Sequence, residues 1–160
     1  MKKISLRIVP AILIGVIVLL SFSTTTDAAK RYKYGAKTPP PVEEMNTEGF
    51  FNSNHKYLLD GTNLLSQYDS SYVRLEGTTY AKQIVDSIGI TFYLQKWNGS
   101  SWEYVGSGST YSDSNRDVFD KTVLRYAEKG YYYRLKTKHW ISHDGVYEQG
   151  EVVSDYILMK

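Results

Sequence analysis

Ile88-Gly89-Ile90-Thr91-Phe92-Tyr93-Leu94 is the stretch that decides the fold. Ile88, Ile90, Phe92 and Leu94 occupy alternate positions, with Gly89, Thr91, Tyr93 and then Gln95 between them. Successive side chains of a strand point to opposite faces, whereas a helix scatters such a set around its axis. The period of two predicts a β-strand with its aliphatic half in a core.

Just downstream, Trp97-Asn98-Gly99-Ser100-Ser101-Trp102 places turn-forming residues between two tryptophans and reads as a hairpin. Pairing Trp97 with Trp102 sets Gln95 opposite Tyr104 and Leu94 opposite Val105. Ile90, Phe92, Leu94 and Val105 then share the core side, so the register is self-consistent. Tyr93, Trp97, Trp102 and Tyr104 share the other side. A strand over Tyr131–Trp140 is expected beside it, with Tyr133, Leu135 and Thr137 inside. Tyr132, Arg134, Lys136, Lys138 and Trp140 are expected outside.

Further out, Asn63–Tyr68, Tyr72–Tyr80, Val118–Tyr126 and Glu151–Leu158 also read as strands. Gly106–Asn115, rich in Gly and Ser, reads as loop or weak edge strand, and Ser142–Gly145 as loop. No amphipathic helix and no internal repeat is evident. About seven short strands, each with one apolar face to bury, predict an all-β, two-sheet antiparallel sandwich.

From Gly77-Thr78-Thr79-Tyr80-Ala81 onward, this order resembles an immunoglobulin or fibronectin type III sandwich. The run Val123-Leu124-Arg125-Tyr126-Ala127-Glu128-Lys129-Gly130-Tyr131-Tyr132-Tyr133 is similar to the corner of such domains where a tyrosine hydroxyl bonds back to backbone. The cysteine pair and the fibronectin proline pattern are missing. The chain also resembles small exported proteins of low-GC Gram-positive bacteria. That resemblance implies secretion and an immunoglobulin-like sandwich, and it implies no activity.

The first 28 residues read as a signal peptide. Lys2, Lys3 and Arg7 precede an apolar run from Ile8 to Phe22, and Thr26 and Ala28 supply small residues for cleavage after Ala28. An uncleaved anchor is the alternative, although the run falls short of the ~20 residues a spanning helix needs. The membrane is thus a partner only through this segment if it is retained. Residues 29–50, which contain Thr38-Pro39-Pro40-Pro41, read as a flexible tail and spacer, and 51–160 as the β domain.

Of the 19 Lys and Arg, three precede residue 29, and of the 17 Asp and Glu only Asp27 does. The remainder is formally neutral and lacks the basic balance of a nucleic-acid binder, so nucleic acid is set aside as a partner. With no cysteine, neither a disulfide nor a thiol nucleophile is available. No catalytic motif stands out among the three histidines and the carboxylates. His139 and His143 have the i,i+4 spacing of a helical metal pair but sit at a strand end and in a loop, where they are expected as surface residues. Asp113, Asn115 and Asp117 match the start of a calcium loop, but Val118 and Leu124 stand where Gly and Glu belong. No metal and no cofactor is expected.

The expectation that remains is a secreted, non-catalytic binding or interaction module. Its ligand-binding face would carry Tyr93, Trp97, Trp102, Tyr104, Tyr132, Arg134, Lys136 and Trp140, and its partner would be an envelope polysaccharide, another anionic polymer or a protein. Plain cross-strand stabilisation of the sheet explains the same aromatic pairs without a ligand. The alternatives are a small secreted hydrolase of cell-wall or host polymers, acting through carboxylates, and a self-associating structural protein.

Overall fold

The computed structural model describes residues 37–41 and 51–160. The expected signal segment, 1–28, and the tail residues 29–36 and 42–50 lie outside them. The strands are β1 (Leu58–Gln67), β2 (Tyr72–Trp97), β3 (Trp102–Tyr104), β4 (Ser109–Tyr126), β5 (Tyr132–His143), β6 (Val146–Val153) and β7 (Ile157–Leu158). Every pairing is antiparallel, all seven strands belong to one hydrogen-bonded sheet, and no helix occurs among the described residues.

The sheet is one because β2 and β4 run through a corner. β2 has 26 residues, which laid straight would span about 85 Å, far more than a domain of this size can enclose. Its register against β4 shifts between Tyr80 and Val85, where Lys82, Gln83 and Ile84 are exposed. Extra residues on one strand of a pair bend it and increase its twist. β4 has its own irregularity at Asn115, with φ 55°. Before the corner, β2 lies between β1 and β4; beyond it, between β4 and β5, with β6 outside β5.

The two halves of β2 face each other across the core. The Thr79 hydroxyl donates to the Gly89 carbonyl at 3.1 Å. At Gly77 a Cβ would stand 3.2 Å from the Phe92 ring, so the missing side chain lets the layers close. Leu65, Val73, Leu75, Ile90, Phe92, Leu94, Tyr133, Leu135 and Met159 fill one end of the interior. Tyr57, Leu58, Val85, Ile88 and Ile141 fill the other.

The Ile88–Leu94 alternation holds, and the hairpin register is Trp97 to Trp102 and Gln95 to Tyr104. Val105 donates its N–H to Leu94 at 2.8 Å, yet its side chain is exposed rather than in the core. β3 ends at Tyr104 and nothing packs over the residue that follows it. Ser109–Asn115, expected as loop or weak edge strand, is the first part of β4 and pairs with β2 over Ser87–Phe92. Its serines and threonines weakened the strand signal because its outer side is solvated. On its inner side Tyr111 meets Phe92 edge-on at 6.2 Å.

The expected loop Ser142–Gly145 shrinks to a two-residue hairpin turn. Asp144 and Gly145 take φ of 49° and 74°, the left-handed pair such turns require. β6 therefore begins earlier than expected, and the Glu151–Leu158 segment divides between β6 and β7. Ahead of β1, Pro40 is buried and the Lys37 ammonium stands 5.0 Å from the Tyr131 ring centroid.

Candidate functional site

The outer side of β3, the second half of β2, β5 and β6 carries the expected face. Register places Trp102 opposite Trp97, then Tyr104, Gln95 and Arg134 in one row, then Tyr93 and Lys136, with Tyr132 two residues before Arg134 on the same side of β5. Lys138 and Glu151 follow as direct partners, and Trp140 lies opposite Gln149. Odd positions of β2 and even positions of β5 share this side because antiparallel partners point the same way.

The face divides into two regions of different character. At the hairpin end the rings pack on one another: Trp97 on Trp102 at 5.4 Å, Trp102 on Tyr156 at 6.2 Å, and Tyr132 on Tyr156 at 5.5 Å. Arg134 lies over Trp102 at 4.5 Å, and its Nε donates to the buried Gln95 at 2.7 Å. Trp97, expected outside, is only 2% exposed. Its ring is covered by its neighbours on the same face, which period-two reasoning cannot detect. The indole N–H groups of Trp97 and Trp102 are buried and have no acceptor among the described residues.

Beyond this packed end the face opens. Tyr93, Tyr104, Gly106, Ser107, Gly108, Lys136, Lys138 and Glu151 line a groove of about 330 Å³. Tyr93 and Tyr104 meet edge-on at 5.6 Å, and Tyr104 is 56% exposed. A Cβ at Gly108 would stand 2.4 Å from the Tyr93 ring, so glycine lets the β3–β4 connection lie flat against that tyrosine. Lys136 pairs with Glu151 at 2.7 Å. Lys138 has no ion-pair partner among the described residues, although Glu151 is its register neighbour. At the far end Trp140 stacks on Tyr147 at 6.1 Å. Glu151, Tyr147 and Tyr156 escaped the sequence reading. Tyr147 lies between the expected loop at Ser142–Gly145 and the expected strand from Glu151, in a stretch that belongs to β6.

His139 departs from its expected place on the surface. His139 is fully buried, since the alternation that puts Leu135 and Thr137 inside continues to it. Its Nδ1 lies 2.8 Å from the Thr79 hydroxyl and its Nε2 lies 2.8 Å from that of Thr137. Thr79 gives its proton to Gly89, so it accepts from Nδ1–H. Thr137 accepts from the Asn63 amide at 2.9 Å, and its proton goes to Nε2 at 2.8 Å in preference to the more distant Val152 carbonyl at 3.3 Å. This chain satisfies every group with a neutral ring.

Burial drives the His139 pKa down to about 4, against a smaller upward pull from Asp60. Its stabilising effect is therefore complete above pH 6.5 and declines as the pH falls toward 4. The expected loss across that window is about 3 kcal/mol. Urea unfolding at steps between pH 7.5 and 5 checks the slope, and the His139 ring proton shifts in NMR should stay those of neutral imidazole throughout. A ring that titrates near pH 6.5 in the folded protein contradicts the buried network.

At the opposite corner Asp86, His143 and Asp144 bring their carboxylate and imidazole atoms within 4.8 Å of one another. Their lone pairs are engaged locally. Asp86 N–H donates to His143 Nδ1 at 3.2 Å, Asp144 N–H to Asp86 at 3.1 Å, and the Tyr57 hydroxyl to Asp144 at 3.3 Å. The cluster ties the β2 corner to the β5–β6 turn. In the calcium-like run, the Asp113 carboxylate accepts the Ser114 N–H at 2.8 Å and pairs with Arg116. The Ser114 N–H, with help from Arg116, holds its pKa below the usual value against the opposing effect of desolvation.

No protein-family model, no curated protein and no solved structure matches this chain. Its function has to be argued from the site.

Proposed function

We propose that this chain is a secreted, non-catalytic binding module that holds an envelope polysaccharide on the outer face of its curled sheet. The observation that carries the reading is the groove between the Tyr93 and Tyr104 rings and the Lys136 and Lys138 stems. A pyranose ring has an apolar face that stacks on an exposed tyrosine, and its hydroxyls meet the polar groups along the groove wall. The packed Trp97–Trp102–Tyr156 cluster gives this platform a rigid end, and a rigid site loses less entropy on binding.

The reading includes export through residues 1–28 and an immunoglobulin-like arrangement of the curled sheet. The Tyr133 hydroxyl supports the latter, because it accepts the Glu128 N–H at 2.8 Å across the turn before β5. Burial pushes the pKa of that hydroxyl up, in keeping with a group held neutral inside the corner.

The test is binding of the purified protein to a panel of envelope and model polysaccharides, with circular dichroism as the folding control. Tyr104→Ala should weaken binding at least about tenfold, the range expected for an exposed aromatic anchor, with an unchanged spectrum. Trp97→Ala should instead lower thermal stability, since that ring is buried. Retention of full affinity by both Tyr93→Ala and Tyr104→Ala would remove the proposed face. Capture of a protein, with no polysaccharide bound, would transfer the face to the protein-ligand alternative.

A further inference from the structure

We infer that the groove selects an anionic glycan, one that carries a carboxylate or phosphodiester on or between its sugar rings. This rests on the reading of the outer face as a carbohydrate platform and goes beyond it by assigning the ligand's charge. Three charged side chains line the groove: Lys136, Lys138 and Glu151. Only two of them are matched. Glu151 takes Lys136 at 2.7 Å and leaves Lys138 with an unshared positive charge at a half-buried position.

Lys136 and Lys138 project from the same side of β5, about 7 Å apart along the strand, which suits anionic groups on adjacent units of a polymer. Glu151 then acts as an internal competitor. Its carboxylate occupies the first ammonium until an incoming anion takes a share of it. The same groove lined by a free carboxylate would favour a cationic ligand, so the charge left over fixes the sign of the selectivity. The tyrosines supply stacking that is indifferent to charge, and the lysines supply the discrimination.

Glu151→Gln gives this inference its sharpest test, because removing one acid should improve binding. Titration calorimetry would use polygalacturonate and a phosphodiester-linked glycerol polymer. Fully methyl-esterified polygalacturonate and neutral glucan and chitin oligomers serve as uncharged counterparts. At least one anionic polymer should bind, with affinity that falls as salt is raised, and its neutral counterpart should bind far more weakly. For the anionic ligand, Glu151→Gln should tighten binding about threefold and Lys138→Gln should weaken it about threefold to fivefold, as for partly exposed charges. Equal binding of neutral and anionic polymers, or weaker binding by Glu151→Gln, overturns the charge assignment and leaves the platform standing. Binding to none of them overturns both readings.

Discussion

Changing Glu148 to alanine is expected to destabilise the protein by about 3–5 kcal/mol, because it removes the acceptor of three successive backbone N–H groups. The Glu148 carboxylate, on β6, accepts the N–H of Tyr57 at 2.8 Å and of Leu58 at 2.7 Å, and also that of Lys56. Tyr57 and Leu58 are buried, and they carry the start of β1 into the second core cluster. One side chain thus gathers three successive backbone N–H groups at the entry to β1, where the register against β2 is irregular. Burial alone would raise the Glu148 pKa, but the three N–H groups outweigh it and hold the acid below its ordinary value. A lowered carboxyl pKa stabilises the fold above the unfolded-state value and loses that effect as pH falls through the folded one. The gap between wild type and Glu148→Ala should therefore be full at pH 7 and shrink in strong acid. Urea unfolding at both extremes measures it; a difference under about 1 kcal/mol at neutral pH would mean that water replaces the carboxylate.

Gly61→Ala is the second large effect expected, and its sign is the informative part. Inside a strand, alanine normally gains about 0.5–1 kcal/mol over glycine through the unfolded chain. Here the new Cβ would stand 2.3 Å from His139 Cγ and 2.5 Å from Cδ2. The ring cannot retreat without giving up the Thr79 and Thr137 hydroxyls that hold its two nitrogens. Overpacking of this severity costs about 3 kcal/mol. The accompanying His139→Ala change empties the space the methyl needs, so the double variant should lose less than the two single losses together. Thermal or urea unfolding of the four proteins decides it. Simple additivity would show that Gly61 and His139 do not compete for the same space.

These positions show where sequence reasoning reached and where it stopped. The strand at Ile88–Leu94, the Trp97–Trp102 register and the inward set Tyr133, Leu135, Thr137 depend on local alternation and on a tight turn, and all were legible. The corner in β2 was not, because Lys82-Gln83-Ile84 reads as a break in the pattern whether the chain turns away or merely bulges. The burial of His139 depended on two threonines, one of them 60 residues distant. Without those partners a histidine is read as a surface group. Alternation places Tyr93, Tyr104, Lys136 and Lys138 on one face; the groove between them depends on Gly108 lying close to Tyr93.

Alternation of side chains and turn chemistry, both local properties of the chain, determined by themselves that this protein is antiparallel β with an aromatic and basic outer side. Only the tertiary structure decided that the strands form one curled sheet, that Trp97 is covered while Tyr104 is exposed, and that Glu151 engages one lysine and leaves the other. Those outcomes depend on which distant segments share space. Periodicity tells a side chain which way to point and says nothing of what it will meet there.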